Sequence, residues 1–456
     1  MSKRNFILLI IILIAIIFGV LGYFYFNQSV SPAGIVTSGT NFIAQFNPFA
    51  NIKTAPPKET PPADISGYQP NPTVETSVKL KKVSSMPIAG YITYSKERLK
   101  AVPVVITPPT DTSSGSTPDT TTPPVTPPIK AKTLAPTAPL TEFAPSLRYV
   151  DRTNGNIYQT FADKIEERKF STTVIPKVYE ASFGNKGVSI IMRYLKDDNR
   201  TIQTFVGNLP KEYLGADSSA TSEVTGSFLP ENITDLSISP DTSSVFYLFN
   251  TGDNLIGTTL NLTNNKKVQI FNSAFTEWLS WWPNSKMITL TTKPSSRVPG
   301  YMYAMDSSGK NFSKTLGPIN GLTTLTSPGG KLVLYSDDNL SLNIFHTDTK
   351  VSNTLGLKTL PEKCVWNSLS TIIYCAVPKS ISAGSYPDTW YQGVISFSDQ
   401  IWKVDVTTGN ATLIVDPITI SGGEDVDGIK LAIDDGENYL FFVNKKDSFL
   451  WEFNLK

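Results

Sequence analysis

The residues able to do chemistry are few and unevenly placed. The chain has one histidine, His346, and two cysteines, Cys364 and Cys375. A Ser-His hydrolase needs that histidine as its base, yet His346 closes LSLNIFH beside the turn Thr347-Asp348-Thr349, and no G-x-S-x-G sequence occurs anywhere. It reads as a surface or turn histidine, and zinc sites built from His and Cys are equally poorly supplied. Carboxylates gather in Glu424, Asp425, Asp427, Asp434, Asp435 and Glu437, hard oxygen donors that suit calcium. They lack the D-x-D-x-D-G order of a calcium loop, since Gly428 follows Asp427 directly, so hairpin turns and a solvated rim explain them more simply. No catalytic residue, metal ligand or cofactor is assigned on these grounds.

Aromatic side chains are the better candidates for contact. The stretch PKSISAGSYPDTWYQGVISFSD, residues 378–399, is a long irregular insertion, and such loops on a rigid scaffold are where binding residues concentrate. Within it Tyr386, Trp390 and Tyr391 combine an apolar body with a polar tip, which suits a binding surface. Trp278, Trp281, Trp282, Trp366, Trp402 and Trp451 could stack on sugars, although packing between repeats is the simpler role. Cys364 and Cys375 lie in KCVWNSLSTIIYC, where a turn centred on Ser368 and Leu369 would set them opposite each other on two strands. A disulfide there would contribute about 2–3 kcal/mol in the chain-entropy model; two buried free thiols are the other reading.

Composition narrows what these residues can serve. Forty Lys and Arg against 39 Asp and Glu leave a net charge of +1, which gives no footprint for a nucleic acid. Charged residues make up 17% of the 456-residue chain while 33 are proline, the balance of a turn-rich all-β protein with a Pro-rich tether. Residues 6–26, FILLIIILIAIIFGVLGYFYF, form an uncharged run that as a helix would rise about 32 Å and match the hydrocarbon thickness of a bilayer. Lys3 and Arg4 precede it, so residues 1–5 are expected in the cytoplasm and the rest outside the cell membrane. The run is long for a signal peptide, and Ser31-Pro32-Ala33 is a poor cleavage site, so an uncleaved single-pass anchor is expected. Residues 27–76 carry Pro56, Pro57, Pro61, Pro62, Pro70 and Pro72 without sustained periodicity and read as a disordered linker. A Thr/Pro-rich low-complexity tract occupies 107–145.

The remaining chain, 77–456, is a procession of short β-type runs. Its register comes from a repeated turn: Ser239-Pro240-Asp241 before VFYLF, Trp282-Pro283-Asn284 before MITLTT, and Ser327-Pro328-Gly329-Gly330 before LVLYS. The prolines stand 43 and 45 residues apart, the length of one four-stranded propeller blade. Counting outward places blades at strands near Val178, Thr234, Glu277, Leu322, Lys363 and Gly428, with another begun by PIAGYITY and resumed after the Thr/Pro tract. The last blade shows only three strands, and the stretch Val78-Lys79-Leu80-Lys81-Lys82-Val83 is expected to complete it by pairing with LWEFNL. The fold class is therefore all-β, a seven-bladed propeller closed by an N-terminal strand.

The Ser/Trp-Pro-Asp/Asn/Gly turn after an apolar strand resembles the TolB-type, WD40-like bacterial β-propeller repeat over roughly 77–456, and the layout of span, tether and disc resembles membrane-anchored bacterial envelope proteins. Phe183-Gly184-Asn185 departs from the turn, and the last two blades lack it. The resemblance implies a fold, because propellers carry many functions. The expected function is a non-catalytic scaffold that binds an envelope protein, peptide or glycan. The alternative is a metal-dependent hydrolase or lyase working in a carboxylate-lined channel.

Overall fold

Each repeat supplies an apolar strand, a polar turn, a second apolar strand, an aromatic strand and an outer strand, so each can form a four-stranded sheet but cannot bury both faces alone. In the computed structural model the described residues are 79–100, 140–212 and 223–456. The apolar run 6–26 and the linker 27–76 lie outside them, as does most of the 107–145 tract. Among the described residues no helix is long and apolar enough to cross a membrane.

The described chain forms seven antiparallel four-stranded blades. It begins with β1 (Leu80–Lys82), which belongs to the last blade. Blade one is β2 (Ile88–Leu99), β3 (Thr141–Asp151), β4 (Ile157–Phe161) and β5 (Arg168–Ser171). β3 starts at Thr141, so the end of the Thr/Pro tract is itself strand. Blade two is β6 (Val178–Gly184), β7 (Ser189–Leu195), β8 (Ile202–Asn208) and β9 (Thr225–Phe228). Blade three is β10 (Ile233–Ile238), β11 (Ser244–Asn250), β12 (Leu255–Asn261) and β13 (Lys267–Ser273). Blade four is β14 (Trp278–Asn284), β15 (Met287–Thr292), β16 (Pro299–Asp306) and β17 (Ser313–Asn320). Blade five is β18 (Thr323–Thr326), β19 (Leu332–Ser336), β20 (Ser341–His346) and β21 (Ser352–Lys358). Blade six is β22 (Cys364–Trp366), β23 (Ile372–Pro378), β24 (Asp399–Asp405) and β25 (Ala411–Val415). Blade seven is β26 (Gly428–Ile433), β27 (Tyr439–Asn444), β28 (Leu450–Asn454) and β1.

The ring closes where the sequence places the closure. β1 pairs antiparallel with β28, Leu80 opposite Phe453, Lys81 opposite Glu452 and Lys82 opposite Trp451. Val83 N donates to Leu450 O at 2.7 Å and Asn454 N to Lys79 O at 2.7 Å, extending the ladder at both ends. Leu80, Phe442, Trp451 and Phe453 pack with Tyr374 and Ile401 of blade six. From the other face Phe441, Val443 and Leu450 pack with Ile88, Leu147 and Tyr149 of blade one.

The repeated turn does more than set register. Asn284 Nδ2 donates to Pro328 O at 3.2 Å, joining the turns of blades four and five, and Gly329 N donates to Ser370 Oγ at 2.9 Å, joining five to six. In blade two Asn185 N donates to Thr242 O at 2.6 Å, so the departure from the Pro motif keeps the same blade-to-blade bond. The inner strands also come very close: a Cβ at Gly90 of β2 would lie 1.9 Å from Ala181 O of β6, which only glycine avoids.

Glu452 is a liability inside this closure. It is 2% exposed, its Oε2 has no partner among the described residues, and burial pushes its carboxyl up to about 8, assisted by Asp163 and Asp434 against the Lys81 charge. The folded chain therefore holds a proton that the unfolded chain releases near pH 4.3, and stability falls as pH rises between these values. Glu452→Gln should raise the free energy of urea unfolding at pH 8 by about 1–3 kcal/mol, with the gain shrinking toward pH 5. An equal effect at both pH values would contradict this account.

Candidate active site in the central channel

The channel wall is made by the first strand of each blade. The third residues of β6, β10, β14 and β26 are Glu180, Asp235, Ser280 and Lys430, and the fourth of β2 is Tyr91. Their bonds tie them across neighbouring blades. Asp235 Oδ2 accepts from Ser280 N at 2.5 Å and Ser280 Oγ at 2.7 Å. Glu180 is paired with Arg193 Nη1 at 2.5 Å, and Arg193 Nη2 donates onward to Ile233 O of blade three. Lys430 Nζ donates to Ala89 O at 3.0 Å, while Tyr91 Oη donates to Lys430 O at 2.5 Å. Tyr91, Thr93, Glu180, Ser182 and Lys430 line a cavity of about 390 Å³.

These side chains keep contact with water yet are hemmed in by protein, and their proton affinities follow. Burial pushes the Asp235 carboxyl up to about 6, against the two Ser280 donors and the Arg193 charge and with the help of Glu180. Burial lowers the Lys430 amine, partly opposed by Glu180. A carboxyl poised near neutrality and an amine that releases its proton more readily than usual are the ingredients of proton transfer.

One end of the ring carries the insertion in blade six, between β23 and β24, which reaches past blade five to blade four. It contains one helical turn, α1 (Asp388–Tyr391), and Asp388 Oδ2 accepts from Ser296 N of blade four at 2.7 Å. Beneath it sits a buried charge cluster. Lys363 Nζ lies 2.8 Å from Asp399 Oδ2 and also pairs with Asp427, all three fully enclosed. Asp427 accepts from Trp390 Nε1 at 2.9 Å, Ser396 Oγ at 3.0 Å and Phe397 N at 3.0 Å. Burial would raise Asp427, but Lys363 and these donors hold it below the usual carboxylate range. Asp399 has fewer donors and is pushed up to about 6 by burial in spite of Lys363. At the same end, burial raises Glu362 to about 7 against the Tyr391 hydroxyl and the Lys363 charge.

Sequence reasoning placed the binding surface on Tyr386, Trp390 and Tyr391, and the structure corrects it. Tyr386 and Trp390 are each 4% exposed, packed with Leu340, Leu360 and Phe397, and only Tyr391 reaches the surface at 39%. The physical reason is Asp427: its carboxylate draws the Trp390 indole N–H inward. Cys364 and Cys375 stand directly opposite on β22 and β23 and form a disulfide. His346 is half-buried beside Asn353. The acidic group is dispersed: Glu424 pairs with Lys82, Asp425 with Lys446 and Asp427 with Lys363, while Asp434 holds the turn to Tyr439. Asp427 and Asp434 are buried, so the solvated-rim reading fails for both. Among the described residues no group of three His, Cys, Asp or Glu stands together as a metal site requires. Five of the six tryptophans named from the sequence are buried or half-buried between strands, and Trp281 is 44% exposed with Nε1 donating to Thr326 O at 3.0 Å. Glu180, Asp235, Lys430 and Lys363 carry no mark in the sequence reading; for the first three the available signal is a charged residue at the third place of an inner strand, while Lys363 lies in the turn just before β22.

No family model and no curated protein matches the sequence. Among solved structures the chain is similar to an oligogalacturonate lyase from Vibrio parahaemolyticus, at 8% identity and a TM-score of 0.45, over 68% of this chain and 86% of that one. It is similar to an oligogalacturonate lyase in complex with manganese, at 10% identity and a TM-score of 0.46, with the same coverage. A puromycin-hydrolyzing peptidase of Mycobacterium tuberculosis aligns at 11% identity and a TM-score of 0.42, over 66% of this chain and 48% of that one. The likeness is one of fold. What speaks against the expected scaffold is the burial of its aromatic surface: Tyr386 and Trp390 are packed inside.

Replacing Lys363 should show how far the inner architecture depends on the charge cluster. Lys363→Met leaves two buried carboxylates without their cation and is expected to cost about 3–5 kcal/mol in urea unfolding. At pH 5 Asp399→Asn should cost under about 2 kcal/mol, because that carboxyl already holds its proton up to about 6. Equal losses in the two variants would overturn the assignment of Lys363 as the centre of the cluster.

Proposed function

We propose that the chain is a hydrolase or lyase that acts on a peptide or glycan in its central channel through protein acid–base groups. Asp235 is the proton-transfer residue, and Lys430 stabilises the negative charge that develops on the substrate. The observation that carries this reading is a carboxyl raised to about 6 and an amine lowered by burial, each at the third place of an inner strand and each facing the charge of Glu180. Ser280 holds the Asp235 carboxyl in place, and the Glu180–Arg193 pair braces the neighbouring inner strand. The cavity lined by Lys430, Glu180 and Tyr91 has the volume for a single sugar residue or a short peptide segment, with Asp235 on the inner strand of the next blade after Glu180.

The same proposal includes the wider setting. The disc is of TolB or WD40-like type, and residues 6–26 anchor it in the cell membrane as a single pass, with the N-terminus cytoplasmic and the propeller outside. The Cys364–Cys375 disulfide supports an oxidising, extracytoplasmic location.

As a general acid Asp235 is protonated below about pH 6, so turnover should fall as pH rises through that value. The full chain in detergent is assayed against a panel of envelope glycans and peptides. Asp235→Asn should lower kcat/KM about 10²–10⁴-fold and remove the limb near pH 6, with Lys430→Met lowering kcat. Wild-type turnover in both variants, or no turnover across the panel, would contradict the proposal.

A further inference from the structure

Away from the channel, three cations of blade one converge on one carboxylate of blade two. Arg148 Nη2 lies 2.7 Å from Glu212 Oε2, Arg168 Nη2 lies 2.9 Å from Glu212 Oε1, and Lys96 Nζ also pairs with Oε1. Lys96 is five residues beyond Tyr91 on β2, about 16 Å further along the strand, so the cluster is distinct from the proposed catalytic groups. Among the described residues no other carboxylate pairs with these three side chains, and two positive charges stay uncompensated.

Arg148 does not depend on Glu212 for its position. Arg148 is held by Gln159 Oε1, which accepts from Nε at 3.0 Å and Nη2 at 2.8 Å, and by Gly187 O, which accepts from Nη1 at 2.7 Å. Its guanidinium lies 4.2 Å from the Phe170 ring centroid. A preset guanidinium beside a second guanidinium and an ammonium is the arrangement that recognises planar or tetrahedral oxyanions. Burial lowers the Lys96 amine, as do Arg148 and Arg168, against the help of Glu212, so added negative charge would relieve the cluster.

We propose that Lys96, Arg148 and Arg168 form a binding site for an oxyanion, a carboxylate or sulfate, in which Glu212 is an internal occupant that an external ligand displaces. Glu212→Gln removes the occupant and keeps its shape. In the full chain this variant should melt lower than wild type without ligand, recover in sodium sulfate relative to sodium chloride at equal ionic strength, and bind sulfate about tenfold more tightly. Arg168 is 43% exposed at its side chain and bonded here to Glu212, so Arg168→Gln added to that variant should fold and lose most of the gain. A uronic-acid disaccharide run in parallel identifies the source: stronger binding than sulfate assigns a glycan carboxylate, weaker binding a free ion. The site is refuted if Glu212→Gln gains nothing over chloride, or if the gain survives Arg168→Gln.

Discussion

A strand of three residues holds the architecture together. β1 comes from the N-terminal end of the described chain and β28 from the C-terminal end, so blade seven is complete only when the two meet. Without β1, the edge of β28 would present unpaired backbone groups, and Leu80 would leave the apolar layer it shares with Trp451 and Phe453. Blades seven and one would then keep only the Ile88 N to Ser448 O bond between their backbones, together with side-chain contacts. Each blade otherwise mostly touches its neighbours, apart from the blade-six insertion that bonds blade four through Asp388 and Ser296.

The channel inherits its order from this closure. Lys430 bonds Ala89, and Tyr91 bonds Lys430, across the junction between blades seven and one. Arg193 spans blades two and three, and Asp235 spans three and four. The groups offered here for proton transfer are thus also groups that hold blades in register. Their perturbed proton affinities follow from the same crowding, since a ring tight enough to require Gly90 leaves little water around a carboxyl.

The repeat and the closure were legible because both are local patterns. A Pro turn every 43 to 45 residues marks the start of a blade's second strand, and a final blade one strand short demands a partner from elsewhere. The inner strands begin within one residue of Val178, Thr234, Glu277, Leu322, Lys363 and Gly428. The site was not legible for the opposite reason. Lys363, Asp399 and Asp427 are far apart in sequence and meet only after blades six and seven pack, so nothing local marks Trp390 as an interior residue. Tyr386 and Trp390 look like contact residues because an irregular, aromatic loop usually is one. A buried carboxylate needing a donor reversed that expectation.

Hydrogen exchange at the junction of the chain ends tests the closed ring most directly. The amide of Asn454, which donates to Lys79 O, and that of Val83, which donates to Leu450 O, should exchange as slowly as amides in the middle of β11 and β19. Exchange of both at the rate of an unstructured peptide, with the middle strands still protected, would show that the ends are apart and that the ring is open.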